Sequence, residues 1–341
     1  MAAGRAAAGR PAASIVAVKM RVPALFVAAS IALCACSGSN DPQPRVVRIG
    51  HFPNVTHAHG LLAHHASRAG KGVFERHLGP DVKVEWYVFR AGPSAMEAML
   101  TGAIDATYVG PNPALNAHVR TRGEEVRILA GATNGGAGLV VRKAAGIDKP
   151  ADLRGRKIAT PKFGNTQDVA CRAWLKRQGF TVTQTGGDVL VVPTEPSDQF
   201  AMFGKGEIDA AWTVEPWLSR LLTEAGGRLL VEETDAVTTV LVGSATFLAQ
   251  HPAMARALVA AHRELTRSLI ADPAAAQQAI ADELTALTRR PMSLELIATC
   301  WPRLHFTDDV ELASLVAFLE AARDAGFLAT VPDVARLMVP Q

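Results

Sequence analysis

GAIDATYVGPNP occupies residues 102–113, and GEIDAAWTVEPW occupies residues 206–217. The echo extends upstream. Pro93-Ser94 and Ala98-Met99 lead to Gly102, Ile104 and Asp105; Pro196-Ser197 and Ala201-Met202 lead to Gly206, Ile208 and Asp209. One extra residue separates Met202 from Gly206. An ordered string repeated about a hundred residues apart reads as two copies of one supersecondary unit.

The text around each copy supports this reading. Residues 46–50, 82–89, 106–109 and 126–130 read as strands, with helices over 61–69, from Ser94, and over 113–120. Ser94 followed by Glu97 is a capping-box signature for the helix after it. The rhythm restarts after residue 150, with strands at 157–159, 189–192, 210–213 and 239–242, and helices at 166–177, 197–203 and 216–224. Strand and helix alternating at this spacing predict parallel sheets covered on both faces. From residue 251 the pattern is nearly all helical, over 253–270, 274–287, 294–300 and 310–325, with no strand pattern left to make a third sheet. The expectation is an α/β, bilobal fold: two doubly wound sheets, a hinge and a helical C-terminal segment. Lobe 1 covers 46–135, lobe 2 covers 136–239, and 240–341 returns to lobe 1. Hinge points are expected at 135–139 and 238–241. In open parallel sheets ligands bind outside the carboxyl ends of the strands, so two lobes give two facing rims.

Residues 1–35 read as a signal peptide. Arg5, Arg10, Lys19 and Arg21 precede an apolar run over 22–33, too short for a stable span. Met20 is an alternative start to Met1. The run ends at Leu33-Cys34-Ala35-Cys36, which resembles a lipobox with Cys36 as the lipidated residue, and 36–45 is a polar tether with Pro42 and Pro44. The remaining length suits two domains. A formal charge of +3, with scattered basic residues, gives no nucleic-acid signature. Cys171 and Cys300 lack metal-ligand spacing and read as buried apolar residues.

Five loops after expected strands are rich in Asn, Thr, Ser and Gly. They contain Asn54, Thr56 and His57; Gly92, Pro93 and Ser94; Asn112; Thr133 and Asn134; and Asn165, Thr166 and Gln167. Most run into a helix, whose first amides and positive dipole end suit a small anion. Ser94 and Thr166 read as N-caps. In the second copy of the repeated phrase, Glu215-Pro216-Trp217 replaces Gly110-Pro111, which would put a carboxylate and an indole on the rim. Asp105 and Asp209, equivalent in the two copies, read as strand-edge structure rather than a catalytic pair. His51, His57, His59, His64, His65 and His77 lack a zinc motif, and His64 and His65 should face different sides of a helix. No nucleophile elbow, phosphate loop or dinucleotide fingerprint occurs, so neither a metal nor a cofactor is expected.

The stretches FPNVTHAHGLLA, GAIDATYVGPNPA, RILAGATNGGAGLVVRK, LRGRKIATPKFGNTQDVA and IDAAWTVEPW, with the Gly-Pro-Ser helix start, occur in an order that resembles the periplasmic substrate-binding proteins of bacterial ABC importers for sulfonates, taurine and nitrate. The resemblance runs over about residues 46–250. It implies a non-catalytic, monomeric receptor in the periplasm or at the cell surface, held to the membrane by lipid on Cys36. Its cleft would close on a small anion for delivery to permease and ATPase subunits. It places ligand loops at 54–57, 92–94, Asn112, 165–167 and Glu215. No arginine stands near Asn165 to clamp a sulfonate, which leaves the oxyanion to amides and hydroxyls. Two alternatives stay open: an enzyme resembling the thiamine-pyrimidine precursor synthases on the same scaffold, and a metal-binding lipoprotein centred on His57 and His59.

Overall fold

A computed structural model describes residues 45–331, 333–334 and 336–338. Cys36 and the stretch before it lie outside them. The chain begins with β1 (Arg45–His51), a 3-10 turn (Val55–His57), α1 (Ala58–Arg68), α2 (Val73–Leu78), β2 (Val82–Val88), α3 (Gly92–Leu100), β3 (Ala106–Val109), α4 (Pro111–Arg120) and β4 (Val126–Gly135). It crosses to β5 (Ala137–Arg142), β6 (Lys157–Thr160), α5 (Thr166–Arg177), β7 (Leu190–Pro193), α6 (Pro196–Lys205), β8 (Ala210–Val214), α7 (Trp217–Glu224) and β9 (Gly227–Glu233). It then returns through β10 (Val237–Ser244), α8 (Ala245–Gln250), α9 (Pro252–Ala271), α10 (Pro273–Thr288), α11 (Leu294–Cys300), β11 (Leu304–Phe306) and α12 (Leu312–Asp324).

The strands form two sheets, ordered β11-β4-β10-β3-β1-β2 and β7-β6-β8-β5-β9. Each has a parallel part, β2-β1-β3 and β7-β6-β8. The crossing strands β4, β10, β5 and β9, with β11, pair antiparallel. The sheets are therefore mixed rather than parallel throughout, because the chain passes from one to the other and back. The second crossing falls at residues 234–236, since β10 already begins at Val237. That is earlier than the expected 238–241. Within the C-terminal segment, expected to be nearly all helical, the short strand β11 adds to the first sheet. Three residues are too few for an alternating pattern to register.

The repeated phrase has one structural meaning in both copies. Gly102 and Gly206 take φ of +73° and +76° at the ends of α3 and α6, where a left-handed residue stops a helix at least cost. Ile104 and Ile208 are buried. The Asp105 carboxylate accepts the Arg48 amide at 2.8 Å while the Asp105 amide donates to the Arg48 carbonyl at 2.9 Å. Asp209 repeats this with Lys157, at 3.0 and 2.9 Å. Each carboxylate thus clasps the middle strand of its sheet's parallel part as the next parallel strand begins. A hydrogen bond to a charged group contributes about 1.5–3 kcal/mol, reduced where solvent reaches it.

The C-terminal helices cover the first sheet's side of the molecule. Helix α9 packs on α1 and α2, α10 on α1, and α12 on both α4 and α5. A fully buried Glu283 on α10 receives Arg68 Nη2 at 2.7 Å and His64 Nδ1 at 3.1 Å, and His65 lies 4.0 Å away. His64 and His65 therefore approach one carboxylate, against the expectation of separate faces. Beneath them His59 stacks on His262 at 4.6 Å, and His262 Nδ1 meets the Tyr108 hydroxyl at 3.0 Å.

These imidazoles are buried, and burial opposes their protonation. It pushes His51 down to about 3, with His64 nearby as a second cause, and His262 down to about 4. Both are neutral when folded, but titrate near the ordinary value of about 6.5 when unfolded. Their contribution is complete above that value and is lost as pH falls toward the folded values. For His262 alone the loss between pH 7 and 4.5 should be about 2–3 kcal/mol. Denaturant melts at the two pH values should show stability falling on acidification, with a shallower fall in His262→Gln. Equal slopes in the two proteins would contradict this assignment.

Candidate functional site: a cleft between the two sheets

One cavity lies where the carboxyl ends of both sheets face each other, with about 520 Å³ of empty space partly open to solvent. Phe52, Asn54, Thr56, His57, Arg90, Ala91, Gly92, Gly110 and Pro113 line it from the first sheet, with Thr238 of β10. Pro161, Lys162, Asn165, Thr166, Gln167, Pro196 and Val214 line it from the second. The starts of α3, α5 and α6, and the 3-10 turn that opens α1, therefore meet on one space.

The local chemistry of these starts explains what they offer. Asn165 caps α5, its side-chain oxygen accepting the Asp168 amide at 2.9 Å. The amides of Thr166 and Gln167, at N1 and N2, are left without intrahelical acceptors. Thr166 is thus inside the helix and not its cap, and its hydroxyl oxygen accepts the Asn112 amide from the other sheet at 3.3 Å. Helix α3 begins at Gly92, with Ala91 as a cap that contributes no side-chain bond. The expected Ser94 cap does not form. Ser94 sits at the third helical position, exposed, and its hydroxyl donates to the Ala91 carbonyl at 2.8 Å. The Gly-Pro pair starts the helix three residues earlier than the capping-box pattern suggests, because proline is well suited to the first turn.

Several expected residues lie elsewhere. Pro93 and Ser94 do not line the cavity, and Asn112 is buried beside it, spending its side-chain nitrogen on the Gly164 carbonyl at 2.7 Å. That bond and the Thr166 contact tie the sheets together at one edge of the cleft. They also approach closely at Gly110, where a Cβ would fall 2.4 Å from the Thr166 hydroxyl oxygen. Thr133 and Asn134 lie within β4, which runs on to Gly135 and absorbs the loop expected there. Glu215 is fully buried behind the cavity. It accepts the Ser219 amide at 2.9 Å and hydroxyl at 2.8 Å, and pairs with Arg303 at 3.4 Å. Burial raises its pKa, opposed by those bonds. Trp217 stands at the start of α7 under the Arg220 guanidinium, 4.9 Å from the ring centre. Neither reaches the rim, because Glu215 turns back onto its own helix.

Arg90 and Lys162 line the cavity although neither stands out in the sequence. The expectation of no arginine near Asn165 is corrected here, since Arg90 shares the cavity with it from the opposite sheet. Arg90 follows β2 closely, which is the position at a strand's carboxyl end where a ligand group would be sought. Both side chains are exposed, and neither has an ion-pair or hydrogen-bond partner among the described residues. No Asp or Glu lines the cavity.

His57 is a buried titratable group of the wall, 4 % exposed and stacked on Phe52 at 4.3 Å. Burial holds its pKa well below the usual value, with His51 nearby as the second cause. It is therefore a neutral ring, able to offer one hydrogen bond, and its Nδ1 has no partner among the described residues. Among those residues no three His, Cys, Asp or Glu side chains are grouped to hold a metal ion, and no helix is long and apolar enough to cross a membrane.

The chain is similar to known proteins over most of its length. The taurine-binding periplasmic protein of Escherichia coli (strain K12) is 29 % identical over 227 residues, covering 64 % of this chain and 68 % of that protein. The chain spans about two thirds of the length of the curated relatives it matches. The alkanesulfonate-binding protein SsuA from Xanthomonas axonopodis pv. citri, solved bound to MOPS, superposes with a TM-score of 0.70 at 19 % identity, over 87 % of this chain and 99 % of that one. The periplasmic nitrate-binding protein NrtA from Synechocystis PCC 6803 gives 0.64 at 16 % identity, over 85 % and 83 %. These likenesses establish the periplasmic-binding-protein fold. The profile of the NMT1-like family matches residues 40–284, and the chain belongs to that family.

Proposed function

We propose that the chain is the solute-binding receptor of an ABC importer, which holds a small organic anion, an alkanesulfonate or a relative of one, between its two sheets. The observation that carries this reading is the cavity's composition. Helix starts from both sheets meet there with two unpaired cations, a neutral buried imidazole and no carboxylate. Helix N-termini bind anions through open amides and the dipole, and do so most strongly where water is excluded. The ligands in the relatives' names, taurine, alkanesulfonate and nitrate, share an oxyanion group.

Capture without catalysis is part of this proposal, and the state of His57 supports it. A general-base histidine is normally oriented by a partner on its second nitrogen and acts on a nearby nucleophile. His57 lacks such a partner among the described residues, and stacks on Phe52 instead. Bound anion would bridge the sheets, with motion taken up at the crossings at 135–136 and 234–236, and the closed monomer would dock on permease and ATPase subunits. The lipobox stretch would anchor it through Cys36 in the periplasm or at the cell surface.

Thermal unfolding with sulfonates, nitrate and organic cations as additives tests the binding. A matching anion at a hundredfold excess over its Kd should stabilise the protein by about 2.7 kcal/mol. Stabilisation by cations, or by no anion in the panel, would contradict the reading. The anchor is tested separately. Protein made in the cell should partition into detergent, and Cys36→Ala should stay in the aqueous phase; equal recovery of both in water would remove the anchor.

A further inference from the structure

The cavity carries information about the far end of the ligand as well as its head. The first-turn amides of α3 and α5 and the buried His57 ring belong to the cavity wall. Arg90 and Lys162 differ from them in being exposed, so they stand at the solvent side of the same space, one on each sheet. Other basic side chains near the cleft are already paired, Arg303 with Glu215 and Glu232, and Arg172 with Asp168. Arg90 and Lys162 have no such partner among the described residues, and no carboxylate on the cavity balances them.

We infer that Arg90 and Lys162 select the charge at the distal end of the ligand, favouring a second anionic group there and disfavouring an ammonium. This deepens the receptor reading and rests on it. An anionic head bound at the amides places a two-carbon chain toward solvent. A distal ammonium then meets two like charges and finds no carboxylate to pair with. A distal carboxylate meets two cations from opposite sheets, and by bridging them favours the joined arrangement. A distal methyl gains and loses little by charge. The cations are exposed and screened by salt, so the preference is moderate rather than absolute.

Two series of equal length test this by titration calorimetry at low ionic strength. The sulfonate series is 3-sulfopropionate, propanesulfonate and taurine; the carboxylate series is succinate, butyrate and β-alanine. In whichever series binds, the distal carboxylate should bind about tenfold or more tighter than the distal ammonium, equivalent to about 1.4 kcal/mol, with the methyl between them. The double variant Arg90→Gln, Lys162→Gln should bring the three members within about threefold of one another. Both residues are exposed and unpaired, so the variant should fold as the parent does. An ammonium member that binds as tightly as its carboxylate counterpart, or an unchanged order in the double variant, would overturn the inference and leave the receptor reading standing. Binding by neither series would count against the receptor reading itself, and the inference would fall with it.

Discussion

The clasp made by Asp105 on Arg48, and by Asp209 on Lys157, sets the geometry on which the cleft depends. Each carboxylate accepts a backbone amide from the middle of its sheet's three parallel strands just where the next parallel strand starts. That bond fixes the register of β3 on β1 and of β8 on β6, with Ile49 opposite Ala106 and Ile158 opposite Ala210. Register in turn decides where each strand ends, and strand ends decide where the following helices begin. The same small unit used twice therefore delivers two sets of helix starts at two sheet edges. The crossing strands β4–β5 and β9–β10 then bring those edges face to face.

What the edges present is a distribution of partial and whole charge. Open amides at α3 and α5 supply positive ends without the desolvation cost of a buried cation. The buried imidazole of His57 adds a directional bond and no charge, because burial keeps it neutral. Whole charges occur only at the exposed residues Arg90 and Lys162. Two carboxylates near the cleft are sequestered: Asp168 is tied to Arg172, Thr160 and the Gly164 amide, and Glu215 to Ser219 and Arg303. The wall thus stays positive on its ligand side even though acidic residues flank it in sequence.

The architecture is largely legible in the sequence because it depends on short-range signals. Helix α5 appears at its expected residues 166–177, and β3 at 106–109, since apolar periodicity and glycine stops act within a few residues. The crossing strands β5 and β9 are harder to read, because both belong to a sheet whose partners lie far along the chain. The site is legible only in part. Asn54, Thr56, His57, Gly92, Asn165, Thr166 and Gln167 do line the cavity, as their position after a strand implies. Glu215 and Trp217 do not, because Ser219 and Arg220 on the next turn, with the distant Arg303, engage their side chains. Ser94 shows how a local rule misleads: its hydroxyl could cap, but Gly92-Pro93 has already started the helix. Arg90 and Lys162 escape a reading of the sequence because what distinguishes them is having no partner, which only a folded chain reveals.

The central claim is that one anion is held by both sheets at once. A crystal structure of the protein with a bound sulfonate tests it most directly. The account predicts sulfonate oxygens within hydrogen-bond distance of first-turn amides of α3 on one sheet and of α5 on the other. An anion bound outside this cavity, or touching residues of a single sheet only, would contradict it.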